Sequence, residues 1–283
     1  MPDYFPQGSL IRRINAEPAI GFLAGRALLL QLAHPAVAQG VADHSDFQRN
    51  PFKRLQGTLE AMYAIVFGST ELATGVGRRI HRIHEFITGP SYEANVPENL
   101  LWVHATLMDS ALLAYTTFVG RLTAEEQETY YQEMKRVAEP FGLERRNQPP
   151  TLADFRAYFD DAVRTLEVTD VGRDLIGYIV RPSLPARLHI PLAPALALHR
   201  LITVGTTPAP LRDRVGFSWD PKRQQRLDRW TRFLRRLFAI QPRAVRTAPT
   251  WLGGRVLLWQ AARHVRQFDA KGVRGAAASP GRG

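Results

Sequence analysis

The stretch 28–58 constrains the fold more than any other part of this 283-residue chain. It begins as an almost entirely apolar helix, which stops at His34-Pro35, and a second short apolar segment follows at 37–41. Asn50-Pro51 then provides a favourable helix start, because Asn caps a helix and Pro is tolerated at the first helical position. We therefore expect buried helices whose apolar walls and few polar groups suit a buried cofactor better than a surface catalytic triad.

Helical periodicity dominates the rest of the chain, and no run of alternating β-branched residues predicts a strand. Two capping boxes mark helix starts, Thr123 with Glu126 and Thr151 with Asp154. The predicted fold class is all-α. The predicted helices span residues 8–14, 18–33, 51–67, 70–88, 97–120, 123–141, 151–166, 169–180, 191–204, 208–215, 220–239 and 249–267.

The chain is long enough, at 45% hydrophobic residues, to bury a large core, as one large domain or two small ones. We predict one helical domain over residues 1–268 and a disordered basic tail over 269–283, because the end of the chain consists mainly of Gly, Ala, Ser, Pro and Arg. The absence of cysteine excludes disulfides, thiolate nucleophiles and cysteine-ligated zinc or iron–sulfur sites.

The first residues lack the apolar core of a signal peptide, and the most apolar run, 19–42, is interrupted by Arg26, His34 and Pro35. We therefore expect a cytoplasmic protein that is soluble or lies at a membrane surface.

The net charge of +11 is concentrated near the C-terminus. Residues 212–283 carry 17 Lys+Arg against 4 Asp+Glu, which is typical of a protein with an anionic partner and also of a GC-rich genome. The segment 220–239 combines many arginines with an apolar stripe, and such a helix either lies on an anionic membrane or turns its stripe toward its own core. The stripe consists of Leu227, Trp230, Leu234 and Leu237. Because nucleic-acid-binding motifs are missing, we expect no nucleic-acid partner.

Five histidines are candidates for binding a metal or a cofactor. His81 and His84 lie three residues apart on one predicted helix, but no third ligand or HExxH pattern accompanies them. A single neutral imidazole is the commonest axial ligand of haem iron, and His84 is the better candidate because three isoleucines surround it. His34 and His44 are further cofactor-binding candidates, although a helix corner and a cap are the ordinary interpretations of them. His104 is either a reserve candidate or a core histidine.

Arg54 and Thr58 lie four residues apart and share one helix face. An arginine on a helix can clamp a ligand carboxylate such as a haem propionate, or can be solvated or paired with an acidic side chain. The threonine can line a ligand cavity or bond back to its own helix. No GxGxxG, Walker or GxSxG motif offers a competing chemistry.

Together these motifs resemble the mpaB and rubber-oxygenase (latex-clearing protein) family. The similarity lies in RALLLQLAHP at 26–35, GVADHS at 40–45 and NPFKRLQGT at 50–58. It continues through HEFITG at 84–89 and LWVH at 101–104, and covers roughly residues 10–245.

This resemblance implies an all-helical, globin-related fold that holds a b-type haem and uses dioxygen to cleave carbon–carbon double bonds in isoprenoid chains. It implies that His84 is the proximal iron ligand and that Arg54 and Thr58 are the cofactor-binding and catalytic pair. Rubber-cleaving members add a distal lysine and glutamate, but Gly57 precedes Thr58 here. We therefore expect an oxygenase acting on an apolar, isoprenoid-like or lipid substrate. A non-catalytic haem or lipid carrier is the main alternative, and a nucleic-acid-binding protein is the third.

Overall fold

The computed structural model describes the backbone of residues 2–45, 51–182 and 185–277, and its account of side chains leaves out those of 51–55, 186, 188 and 271–277. Almost all of this backbone is helical, and the two strands are two residues long, so the predicted all-α class is confirmed. The helices are α1 (Leu10–Asn15), α2 (Ala24–Ala33), α3 (Pro35–His44), α4 (Pro51–Phe67), α5 (Thr70–His84), α6 (Pro97–Ala114), α7 (Ala124–Ala138), α8 (Leu152–Thr165), α9 (Asp170–Val180), α10 (Ala186–Thr206), α11 (Ala209–Val215), α12 (Pro221–Ile240) and α13 (Arg243–Ala277).

Short irregular elements connect several of these helices. Three segments, Pro18–Leu23, Glu139–Phe141 and Arg145–Asn147, form 3₁₀ turns, and Tyr115–Val119 continues α6 as a π-helical turn. Between α5 and α6, β1 (Thr88–Gly89) pairs antiparallel with β2 (Tyr92–Glu93).

Helix α2 lies at the centre of the fold. Its residues are buried from Gly25 to Ala33, and it packs against α3, α6, α9 and α10. A helix that is buried around nearly its whole circumference is stable only when other elements surround it. His34 ends α2 in an extended conformation, and Pro35 occupies the first turn of α3, so the chain bends sharply between the two helices.

Buried polar groups fasten α2 to its neighbours. Trp102 on α6 donates from Nε1 to the carbonyl oxygen of Leu30 at 3.0 Å. The guanidinium of Arg26, only 3% exposed, donates to Ser110 Oγ at 2.7 Å and lies 2.5 Å from Asp109. A charge buried this deeply is tolerated because it is paired and hydrogen-bonded.

Both predicted capping boxes are confirmed. Thr123 Oγ1 accepts from the Glu126 amide at 3.1 Å, and Glu126 accepts from the Thr123 amide at 2.9 Å. Thr151 and Asp154 repeat the arrangement at the start of α8. These contacts satisfy amide groups that a helix start otherwise leaves without partners.

The apolar stripe predicted on residues 220–239 divides into a buried and an exposed part. Leu227 and Leu234, together with Phe238, are buried against α10 and the π-helical turn, whereas Trp230 and Leu237 face outward. The exposed positions repeat at intervals of three or four residues and so form an outer stripe that adjoins the buried one, since Trp230 lies one helical turn from both Leu227 and Leu234. This outer stripe consists of Trp230, Phe233, Leu237 and Ile240.

The last helix, α13, packs against α4 and α5 and runs beyond the boundary at residue 268 that we predict for the helical domain. Residues 278–283 of the predicted tail lie outside the described residues. A buried ion pair joins this helix to the N-terminal region: Arg246 contacts both carboxylate oxygens of Glu17 at 2.7 Å.

Among the described residues, no single helix is long and apolar enough to cross a bilayer. The segments Pro18–Ala33 and Pro35–His44 reach that length and composition only when taken together, and they are bent by 100° at His34.

Candidate active site

Two adjoining cavities, of about 350 and 240 Å³, lie among the helices. The first cavity is enclosed by α3, α4, α5 and α6 and by the β1–β2 hairpin. Each helix contributes residues spaced three or four apart, so one face of each helix forms a wall. The apolar lining includes Val37, Gly40 and Val41 of α3, Ala61, Met62 and Ile65 of α4, Ile80 of α5, and Leu100, Val103 and Leu107 of α6.

His84 lies at this first cavity. It is the last residue of α5, is half-buried, and lines the cavity together with Ile80 and Ile87. His81, one turn earlier, is exposed, and its Nδ1 lies 3.4 Å from the carbonyl oxygen of Phe141. His81 is not part of the lining of either cavity, so the structure brings His84 and not His81 to the site.

His104 also lines the first cavity, from the α6 side, and is 1% exposed. Its Nε2 donates to the carbonyl oxygen of Met134 at 2.7 Å, which places the ring proton on Nε2 and leaves a lone pair on Nδ1. Nδ1 is buried and has no hydrogen-bond partner in the described part of the chain. Burial lowers the pKa of His104 to about 4, so the ring is neutral at physiological pH.

The two remaining histidine candidates occupy different places. His44 is exposed at the mouth of the first cavity, where its Nε2 lies 3.2 Å from the carbonyl oxygen of Thr88. His34 lines neither cavity; its ring packs 6.2 Å from Trp102, and burial lowers the pKa of the imidazole. His34 therefore lies at the corner between α2 and α3. The geometry does not support its assignment as a cofactor contact.

Thr58 is half-buried on α4 and lines both cavities. Arg54 belongs to the same helix, but its side chain lies outside the described residues. The predicted arginine–threonine pair is therefore placed at the site through Thr58 alone.

Gln31 is a site residue that the sequence analysis did not select. It is 2% exposed, lines both cavities and donates from Nε2 to Thr106 Oγ1 at 3.2 Å. The sequence feature that could have indicated Gln31 is that it is the one polar residue between 27 and 33, since a buried polar group is more informative than a buried apolar one.

Arg79 is a second such residue. It is half-buried at the wall of the first cavity, with a guanidinium nitrogen 3.7 Å from Glu60. Glu60 is itself buried and bonds His264 of α13 at 2.8 Å. The cavity wall thus carries the Arg79 cation, whose partner carboxylate, Glu60, is shared with His264. Glu60 and His264 are 204 positions apart, so the contact leaves no local pattern in the sequence.

A hydrogen bond closes the hairpin over the mouth of the first cavity. Tyr92 donates its hydroxyl to Asp43 on α3 at 2.7 Å. Burial of the ring and this hydrogen bond raise the pKa of Tyr92 to about 12, so the phenol stays protonated and keeps donating across the physiological range. Gly40 lets the hairpin approach, because a Cβ there would lie 3.3 Å from the Tyr92 ring.

Residues 12–236 match the family described as the catalytic domain of the ER-bound oxygenase mpaB/B′ and rubber oxygenase. The chain belongs to the mpaB/rubber oxygenase family. The resemblance predicted from the sequence motifs is thereby confirmed, and both cavities are built mainly from the matched region. Membership in this family of oxygenase catalytic domains supports an oxygenase-type enzyme that acts on a small molecule with dioxygen.

Two relatives are similar over most of their length. The uncharacterized proteins Mb2261 of Mycobacterium bovis and Rv2237 of Mycobacterium tuberculosis are each 25% identical over 211 residues, which covers 71% of this chain and 82% of the relative. No solved structure matches the chain, so the predicted relation to globins stays a prediction.

Single histidines from α3, α5 and α6 line the first cavity. Within the part of the chain that the structure describes, no three His, Cys, Asp or Glu side chains come together as a metal site. A cofactor with its own metal and a single protein ligand is the type of group that such a donor set can hold.

Proposed function

We propose that this protein is a haem b-dependent oxygenase that acts with dioxygen on an apolar substrate of isoprenoid or lipid type. The observation that carries the proposal is the position of His84 at an apolar cavity of about 350 Å³ inside a fold of the oxygenase family. Cavities of this size class bind organic cofactors and ligands, usually through apolar walls and a few placed polar groups.

The residues at the first cavity fit haem in three respects. His84 supplies an imidazole, the commonest axial ligand of haem iron. Arg79 supplies a guanidinium for a propionate carboxylate, a role in which Arg54 would be its companion. The remaining walls are largely hydrocarbon, which suits the porphyrin faces. When bound, haem would supply the dioxygen chemistry that no side chain of the protein provides.

The side chains around the cofactor position then have separate tasks. His84 would hold the iron, and the arginines would fix the orientation of the ring through its propionates. Thr58 and Gln31 place two polar groups on the wall that the two cavities share, where they can orient an oxygen atom or a substrate hydroxyl. The apolar faces of α3, α4 and α6 exclude water, which favours the binding of a hydrocarbon.

The proposal is tested by absorption spectra of protein produced with ample haem. Wild-type protein is expected to show a Soret band, His84→Ala to lose it, and the matched variant His104→Ala to keep it. His104 is the appropriate comparison because it lines the same cavity and its Nδ1 keeps a lone pair, so retention of haem in His104→Ala is what assigns the iron to His84. Equal haem content in His84→Ala, or no Soret band in folded wild-type protein, would refute the assignment.

A haem or lipid carrier with the same cavity is the alternative function. The two are separated by oxygen consumption in the presence of polyprenyl alcohols, which an oxygenase shows and a carrier does not. Family membership in an oxygenase catalytic domain favours the enzyme.

We further propose that the protein is cytoplasmic and contacts an anionic membrane through α12. The support is the outer stripe of α12, on which Trp230 and Phe233 are 41% and 54% exposed. Apolar and aromatic residues with arginines on the same helix favour the interface of an anionic bilayer. The neighbouring cations are Arg229, Arg232, Arg235 and Arg236.

Sedimentation with vesicles tests this contact. Vesicles containing phosphatidylglycerol are expected to bind the wild-type protein, whereas phosphatidylcholine vesicles bind it weakly and the double variant Trp230→Gln, Phe233→Gln binds to neither. Binding to DNA with a steep dependence on salt, and no binding to anionic vesicles, would instead favour the nucleic-acid alternative.

A further inference from the structure

We propose that the second cavity is the chamber that holds the hydrocarbon chain of the substrate, and that α13 forms its outer wall. This inference rests on the proposed function only in placing the reacting bond in the first cavity. The second cavity has a volume of about 240 Å³ and is lined by the 3₁₀ segment Pro18–Leu23 and by α2, α4, α6 and α13.

The two cavities are separated by a single layer of side chains. Gln31, Thr58, Met62 and Leu107 belong to the lining of both. Met62 is unbranched and flexible, so this layer can adjust to a chain that passes between the cavities. A substrate lying in the second cavity would thus bring one end to the first cavity, beside the two polar groups of the shared layer.

The chemistry of the second cavity favours a hydrocarbon. The polar side chains outside the shared layer have partners. Asn15 donates to the Ile11 carbonyl oxygen at 3.0 Å, both carboxylate oxygens of Glu17 bind Arg246, and Tyr63 is hydrogen-bonded to Thr250. Ser110 accepts from Arg26 at 2.7 Å. Because these groups are engaged, a polar head group would gain little there, whereas an alkyl or prenyl chain gains from removal of its surface from water.

The remaining lining of the second cavity is almost entirely apolar. It includes Ile20, Leu23, Ala27, Leu28, Leu59, Phe67, Ala111, Met134 and Leu257.

Glycines shape the entrance of this chamber. Gly21 and Gly253 are exposed members of its lining, and a Cβ atom on either would have no heavy atom within 4 Å. They therefore mark an opening between the 3₁₀ segment and α13. The adjacent Gly254 is different, since a Cβ there would lie 2.6 Å from the Tyr63 ring, so this glycine lets α13 approach α4 closely.

The outer wall lies beyond the region shared with the family. The family match ends at residue 236, whereas the α13 residues of the chamber are Thr250, Gly253, Gly254 and Leu257. One boundary of the chamber is thus formed by a part of this protein that the catalytic-domain match does not include. Substrate selection is accordingly assigned to α13, and cofactor binding to the matched helices.

Photo-crosslinking tests the chamber. The probe is a farnesol analogue with a diazirine at the chain terminus, and the labelled residues of the full-length protein are mapped by mass spectrometry. Saturable labelling is expected at the second cavity, for example on Tyr63 and Leu257. The variant Gly253→Trp, whose new side chain has room at the entrance, should reduce this labelling at least tenfold, and should raise KM for a polyprenyl substrate without moving the Soret band.

The matched control is Gly177→Trp, at an exposed glycine of α9 that lines neither cavity and has no heavy atom within 4 Å of a Cβ. This variant should be labelled at the second cavity to the same extent as the wild-type protein. Labelling confined to residues of the first cavity alone, or equal labelling of Gly253→Trp and wild type, would overturn the inference. His84→Ala should keep its Leu257 labelling after losing haem, so failure of the haem assignment and failure of the chamber give different results.

Discussion

Protonation of His104 makes a specific, measurable contribution to the pH dependence of stability. In the native protein burial holds the pKa of His104 at about 4, against an ordinary value of 6.5. The native pKa is the lower one, so between these values the unfolded chain binds more protons than the native protein. The free energy of unfolding therefore falls as the pH is lowered from 6.5 to 4 and is unaffected by this group above 7.5.

The magnitude follows from the size of the pKa difference. One pKa unit corresponds to about 1.4 kcal/mol, so the full loss is about 3 kcal/mol and the loss at pH 5.5 is about 1.4 kcal/mol. A loss on that scale is a sizeable part of the total stability of a native protein, which is about 5–15 kcal/mol.

The informative variant is His104→Gln, because a glutamine amide can still donate toward the Met134 carbonyl but does not titrate. Urea unfolding of both proteins at pH 7.5, 6.5, 5.5 and 4.5 should show a difference in unfolding free energy that shrinks with falling pH by the amounts above. His34 and His199, whose pKa values burial also lowers, are present in both proteins and cancel. Parallel pH profiles would show that His104 protonates normally in the folded state, and would refute the argument that burial lowers its pKa.

Two further predictions concern the contacts that hold the cavity walls. Arg246→Ala should lower the free energy of unfolding by about 3–5 kcal/mol in urea titrations, because it leaves the buried Glu17 carboxylate without its partner. The control Arg223→Ala, at the exposed pair with Asp220, should lower it by less than about 1 kcal/mol. Equal effects of the two substitutions would contradict the argument. Tyr92→Phe should cost about 1 kcal/mol and speed hydrogen exchange in the β1–β2 hairpin, since it removes the bond to Asp43; unchanged exchange would show that the bond does not hold the hairpin.

Local patterns predicted the helices well where the signal itself is local. The capping boxes at Thr123 and Thr151 fixed two helix starts, since each depends on residues three positions apart. Helix α5 ends at His84 rather than at the predicted residue 88, because Thr88 pairs with Glu93 across a hairpin. That pairing depends on contacts beyond the helix and is invisible to periodicity.

Prolines account for two other differences. Pro35 is predicted to interrupt the apolar run, but it starts the full helix α3, at a position where the missing amide of proline costs no helical hydrogen bond. The last helix is predicted to start at Pro249, yet α13 begins at Arg243. The bond that Pro249 cannot make would be to the carbonyl of Val245, which is 63% exposed and open to water, so the helix tolerates the proline.

The candidate site was predictable only in part. Apolar neighbours on its own helix distinguished His84 from His81, and the structure places His84 at the cavity; whether it binds haem stays a prediction. The stripe on α12 is one apolar face of which only one edge is buried, and spacing within a helix does not show how far the neighbouring elements cover it. The link from Arg79 through Glu60 to His264 joins three helices, and no spacing within one helix indicates it.

Gln31 shows most directly how the demands of the fold and of the site differ. Within the described residues the Gln31 side-chain amide makes one hydrogen bond, of 3.2 Å, which is a weak contribution to folding because desolvation of the group costs about 1–3 kcal/mol. Thr106, the partner, does not require Gln31 for its own hydrogen bonding, since its hydroxyl proton is already donated to the Val103 carbonyl at 2.7 Å. An apolar side chain of similar length would suit α2 better, so packing does not account for an amide at this position. Its place in the layer between the two cavities does, because there it presents a polar group to whatever lies between cofactor and substrate.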